Sequence, residues 1–383
     1  TKGYKGGNHS YNPCGGSSGG GSINIFTNQS TGIDQLGIIT NTRYEEIKGD
    51  TSDIGGSSVG SDYKGGSGGK GTTNIGEIRN GQYYDLKDII EQDKEKYIES
   101  VTIKGDSILN ILNDNNLKTG YYYFVANEES YPVHVITLDG NQHFTENQTF
   151  GDAADVATAT DYAQNMVIVK VNGDLTIDEG VTVAPYYDAK YGGPKGFTLY
   201  VTGKLTNKGT IDNSHGAKAE GQNVYLWKNT DGTYEYVPAE GAAGGNSRTS
   251  MKLSGNAGKD GVNRQTGGGG SGGAYNANSG FGSAGTSYSG GSGGGPGHFS
   301  YGTNASSNGA AGGNGSGSGG AGNPGGIANS SDGINGENGT GGLLTIYANE
   351  YDNRGILSTK GYKGGNHSYN PCGGSSGGGS INI

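Results

Sequence analysis

Apolar and polar residues alternate over short runs through much of this chain. Residues 166–183, MVIVKVNGDLTIDEGVTV, and 197–216, FTLYVTGKLTNKGTIDNSHG, place β-branched residues two apart, the period of a half-buried strand. Residues 343–361, LLTIYANEYDNRGILSTKG, repeat the phrase. Thr198-Leu199-Tyr200-Val201 matches Thr345-Ile346-Tyr347-Ala348, and Asn207-Lys208-Gly209-Thr210-Ile211 matches Asn353-Arg354-Gly355-Ile356-Leu357, with one residue of slip between the blocks. Alternation sets Leu199 and Val201 on one face and Thr198, Tyr200 and Thr202 on the other. Asn-x-Gly supplies a corner that tolerates positive φ, so each phrase reads strand, turn, strand. Such units predict stacked strand layers of the β-solenoid kind, in which each layer covers the edge of the one before. Short strands with Gly turns also suit a sandwich.

A second pattern interrupts the first at 81–165. GQYYDLKDIIEQDKEKYIESVTI sets Leu86, Ile89, Ile90, Tyr97 and Ile98 among charges, the spacing of an amphipathic helix. SILNILNDN, the aromatic run YYYFVAN and the alternating VHVITL follow, and together they predict a small α/β insertion. Further on, VYLWKNTDGTYEYV predicts a hairpin turned at Asp231-Gly232, with Trp227 in cross-strand aromatic pairing.

Between the strand phrases lie glycine-rich runs at 3–21, 55–71 and 241–342. Glycine supplies 81 of the 383 residues, and apolar residues only 30%, too few to fill a large conventional core. Collagen is excluded, because the G-x-y period is absent and proline stands at 8. A flexible linker is one reading of these runs. The other is ordered extended strands of polyproline-II type, three residues per turn, packed side by side where glycine lets backbones approach.

Residues 1–25, TKGYKGGNHSYNPCGGSSGGGSINI, return letter for letter as residues 359–383. A unit whose tail leads into its own head describes an open-ended assembly. The expectation is one repeat plus an overlap, cut from a longer polymer-like protein. An engineered overlap and a natural chain with duplicated ends are the alternatives, and all three imply end-to-end continuity. The expected assembly residues are Thr1, Tyr4, Tyr11, Cys14, Ile23 and Ile25, with Thr359, Tyr362, Tyr369, Cys372, Ile381 and Ile383 as their counterparts. The two cysteines are one repeat position seen twice, so no disulfide forms within a repeat.

The expected fold class is therefore mainly β: β-solenoid-like strand layers, ordered glycine-rich extended segments and a small α/β insertion. The division is 1–80, a first strand and glycine layer; 81–165, the insertion; 166–240, strands and hairpin; 241–342, the long glycine segment; and 343–383, closing strands and the start of the next repeat. The strand–corner–strand phrase resembles the repeats of filamentous-haemagglutinin-like β-helical adhesins over about 40 residues in two places. In composition and texture, the glycine runs look like the polyglycine-rich tip adhesins of phage long tail fibres. These resemblances imply an extracellular or cell-surface structural protein.

A formal charge of −10 repels nucleic acid, and no apolar run is long enough to span a membrane. Asp174, Thr176 and Asp178, followed by Glu179, could pair carboxylates for polysaccharide cleavage, but a solvated strand face explains them as well. DGINGENG offers Asp332, Asn335 and Glu337 as calcium ligands, although without the ligand order of an EF-hand. Turn chemistry gives the same letters, so no cofactor is expected. His134 and His143 lie in a strand-and-loop region with nothing ordering them as a triad, and His9 and His367 are one position twice. Tyr186, Tyr187, Tyr191, Tyr225, Tyr234, Tyr236, Tyr275, Tyr288 and Tyr301, together with Tyr4 and Tyr11, sit in or beside loops. Their rings could stack on sugars or cap the glycine strands. The expected function is a non-enzymatic filament subunit partnered by its own copies. The alternative is a phage or tailocin-type fibre adhesin that binds cell-surface glycans.

Overall fold

The computed structural model describes residues 15–27, 65–69, 72–79, 82–85, 112, 117–126, 129–156, 166–188, 193–194, 196–214, 227–228, 235–236, 256–260, 268, 270–271, 282, 293, 342–361 and 377–383. These are mainly β. In chain order the strands are β1 (Ser22–Thr27), β2 (Thr72–Arg79), β3 (Gln82–Asp85), β4 (Gly120–Ala126), β5 (Glu129–Asp139), β6 (Gln142–Phe144), β7 (Gln148–Phe150), β8 (Met166–Asn172) and β9 (Leu175–Ile177). There follow β10 (Thr182–Pro185), β11 (Gly196–Asn207), β12 (Thr210–Asp212), β13 (Trp227–Lys228), β14 (Glu235–Tyr236), β15 (Leu343–Asn353), β16 (Ile356–Ser358) and β17 (Ser380–Asn382).

Four passes of the chain lie on one another in parallel. β5, β6 and β7 pair with β8, β9 and β10 respectively. β8 and β9 both pair with β11, and β10 pairs with β12. β11 and β12 then pair with β15 and β16. The β11–β15 register sets Thr198 opposite Thr345 and Asn207 opposite Asn353, with a shift between Val201 and Lys204. Residues that match in sequence are thus hydrogen-bonded neighbours, and the one-residue slip is the bulge. Among the described residues the passes do not close into a complete coil.

Beyond β15 the large sheet continues through β17, β1, β2 and β3. Its two end strands, β3 and β4, pair antiparallel with β2 and β5. The β13–β14 hairpin sets Trp227 opposite Tyr236, as alternation around Asp231-Gly232 predicts.

One core draws on both sheets, with Val167, Val169, Val171, Phe197, Leu199, Val201, Leu344 and Ile346 from the large one and Phe150, Val183 and Ile211 from the small one. In-register pairing turns these into columns. His134, Val167, Phe197, Leu344, Ile381, Ile23 and Thr73 lie side by side across seven strands. The other face of the central strands is covered as well. Thr198 and Tyr200, which alternation sets on the face opposite Leu199 and Val201, are buried, as are Met166, Ile168 and Lys170, whereas Thr202 is exposed. The near-continuous apolar run Met166–Val171 is what a doubly covered parallel strand requires.

Residues 129–150, expected within an insertion, supply the first of the four passes. Gln82–Asp85 is a strand, and the helical pattern over Leu86–Ile98 lies outside the described residues.

The glycine segments bond to one another at a spacing of three. Ser17 and Gly20 amides donate to Gly66 and Gly69 carbonyls, and Gly66 and Gly69 amides donate to Ser271 and Gly268. Gly268 and Ser271 in turn donate to Lys259 and Asn256. Gly258 reaches Ser67, so segment 65–69 touches three neighbours. A β ladder repeats every two residues; this lattice does not. Its segments are packed backbone on backbone: a Cβ added at Gly65 or Gly68 would lie 1.9 or 2.0 Å from the carbonyl oxygens of Gly15 and Ser18.

Candidate functional site

The two copies of the duplicated segment meet each other. β17 and β1 pair in parallel with Ile381 opposite Ile23 and Asn382 opposite Asn24, each residue beside its own duplicate. On its far side β17 pairs with β15, setting Ile381 beside Leu344 and Asn382 beside Thr345. β1 continues to β2, with Asn24 beside Asn74 and Ile25 beside Ile75. Asn382, Asn24 and Asn74 therefore share one row across three strands.

The flanks join the same layer. Gly378 donates to Gly19 (3.2 Å), Gly379 to Thr359 (2.7 Å) and Ser380 to Gly342 (3.1 Å). A Cβ at Gly21 would lie 1.6 Å from the Gly379 oxygen, so the copies touch through bare backbone. Ile381 and Thr359 are buried, and Ile383 packs on the core edge. Of the expected assembly residues, Ile23, Ile25, Thr359, Ile381 and Ile383 thus gather in this layer. Thr1, Tyr4, Tyr11, Cys14, Tyr362, Tyr369 and Cys372 lie outside the described residues, as do Asp332, Asn335 and Glu337.

The carboxylates around β9 serve the corners. Asn141 Oδ1 accepts from the Asp174 amide (2.9 Å), and Asp174 Oδ1 accepts from the Lys204 amide (2.8 Å). Each corner side chain caps the backbone of the next pass. Thr176 is half-buried between inward Leu175 and Ile177, and Asp178 pairs with His143 at 3.0 Å across an exposed edge.

Sequence reasoning missed a cluster on the first pass. Asp152 caps the turn Ala153–Asp155, accepting from the Ala154 amide, while the Asp155 carboxylate accepts from the Asp152 amide (2.8 Å). The same Asp155 oxygen lies 2.7 Å from His134 Nδ1. A carboxylate only accepts, so Nδ1 carries the proton. Tyr121 stacks on the His134 ring at 4.2 Å and donates to Asp152 (3.1 Å). Burial, then the Asp155 carboxylate, then the bond to Asp152 push the Tyr121 phenol up to about 12. His134, Asp152 and Asp155 offer three ligand atoms within 4.8 Å of one another, a donor set that suits a cation. Asp155 Oδ2 already accepts two hydrogen bonds, so the group as built clamps β4 and β5 to the turn after β7. The Asp-x-x-Asp spacing at 152–155 is a readable capping signal; nothing in the sequence ties His134 to it.

No protein-family model, curated protein or solved structure matches this chain.

Proposed function

We propose that this chain is a structural, non-enzymatic repeat of an extracellular filament, built from β-solenoid-like strand layers and a bundle of polyglycine-type extended segments. The observation that carries the reading is the in-register pairing of the duplicated segment with its own copy, Ile23 on Ile381 and Asn24 on Asn382. Parallel in-register stacking of identical strands joins copies of one segment side by side, and a copy from another chain can take the place of either. The corner role of Asp174 favours a structural account of the carboxylates over a catalytic one. The partners on this reading are further copies of the chain. Its charge of −10 argues against nucleic acid. Among the described residues no helix is long and apolar enough to cross a membrane.

The glycine lattice supports the second reading, a fibre-tip adhesin of phage or tailocin type. Bonds spaced by three residues to several neighbours are what packed polyglycine helices make. On that reading the tyrosine-bearing loops contact cell-surface glycans.

Electron microscopy and fibre diffraction of the purified protein separate the two. The filament reading expects long uniform threads, with a strand spacing of about 4.7–4.8 Å along the axis. Short particles ending in a knob, retained on glycan surfaces, would transfer the assignment to the adhesin. Monodisperse single chains that retain no glycan would remove both.

A further inference from the structure

β17 occupies a slot with two walls. One wall is β15, against which Ile381 meets Leu344 and the Ser380 amide reaches Gly342. The other is β1, where the occupant faces its own sequence. The slot fits its occupant at three places. Its wall is bare at Gly21, where a Cβ would lie 1.6 Å from the Gly379 oxygen, so the two backbones lie directly together. It takes an isoleucine into the buried column between Leu344 and Ile23. It aligns an asparagine with Asn24. Residues 377–383, GGGSINI, meet these demands, and so do residues 19–25, because the letters are identical.

We infer that this slot is a docking site for the duplicated segment of a second copy of the chain, entering by strand exchange with residues 377–383. The inference rests on the assembly reading for its purpose, but the site is defined by contacts within one molecule. Nothing in the walls distinguishes an internal occupant from an external one, so the two compete on concentration alone. Tethering gives the internal tail an effective concentration on the order of millimolar. Exchange therefore dominates where chains are crowded or where the resident tail is weakened.

The test weakens the tail in the full chain. Ile381→Asp places a carboxylate in an apolar column, which expels the tail from the slot. A fluorescent peptide GGSSGGGSINI is then titrated, with anisotropy as one readout and hydrogen-exchange protection at Leu343–Thr345 as the other. The peptide is expected to bind the Ile381→Asp chain at least tenfold more tightly than the unaltered chain, whose slot is filled, and to restore protection on β15. A peptide carrying aspartate at the same isoleucine should do neither. If the altered chain does not fold alone, refolding with the unaltered peptide should recover its strand signal, while the aspartate peptide should not. Equal binding to both chains, or binding without renewed protection or recovery of the fold, overturns the inference. Peptide capture without threads would sink the filament reading alone. Threads formed by a chain that captures no peptide would sink the slot alone.

Discussion

Tyr121 and His134 show how much a single side chain contributes at the end of the stack. His134 holds a column position that other passes fill with Val167 and Phe197, and it is kept there by Asp155 behind and the Tyr121 ring in front. The phenol keeps its proton longer in the folded state, up to about 12 against an ordinary 10.0. A raised folded value contributes stability that is complete below the unfolded one and is lost as pH rises through the folded one. Unfolding midpoints of the native chain should therefore fall between pH 10.0 and about 12. In Tyr121→Phe that part of the decline should flatten, as followed by denaturant titration at stepped pH; an unchanged slope would remove Tyr121 as its source.

At the scale of elements, the passes are joined by backbone ladders and by corner side chains that reach from one pass to the next. Asp174 is the corner with the clearest test. Asp174→Asn keeps an acceptor for the Lys204 amide and should leave thermal stability nearly unchanged. Asp174→Ala removes the acceptor and should cost about 1 kcal/mol, with water at this exposed corner limiting the loss. Equal stability of the two variants would dismiss the corner bond. The joined passes were legible where the sequence repeats itself: the match of Thr198–Val201 to Thr345–Ala348 is also the pairing register. The first pass was not, because Val133–Leu138 shares no letters with β8 beyond alternation, and its pairing is decided by backbone bonds that any side chain permits. Burial of Thr198 and Tyr200 was equally hidden, since period-two alternation marks opposite faces without saying whether the second is covered. The antiparallel pairing of Trp227 with Tyr236 was readable from the alternation on either side of Asp231-Gly232. The layer of duplicated segments was readable as a place of pairing, but not as a pairing of the copies with each other.

For the whole molecule, the sheet has different kinds of end and middle. The antiparallel strands β3 and β4 close its two edges, whereas the duplicated segment sits inside, between β15 and β2. Growth from chain to chain on the proposed reading thus passes through exchange in the middle and not through addition at the rims. The rims are short or hairpin-paired, as edges that avoid stray pairing are.

The bonding interval of the glycine lattice carries a consequence for what lengths the chain tolerates. Ser17 and Gly20 meet Gly66 and Gly69, so donors come into phase only every third residue. On the polyglycine reading, removing one residue from 65–69 rotates every later donor away from its acceptor by about a third of a turn. Removing three shortens the rod and returns it to phase. A single-residue deletion there should lower the melting temperature well below that of the three-residue deletion, although it takes away less material. Calorimetry on the pair would show it; a loss that simply grows with the number of residues removed would deny the lattice its frame. Such a region keeps time like a screw thread, indifferent to whole turns and intolerant of fractions.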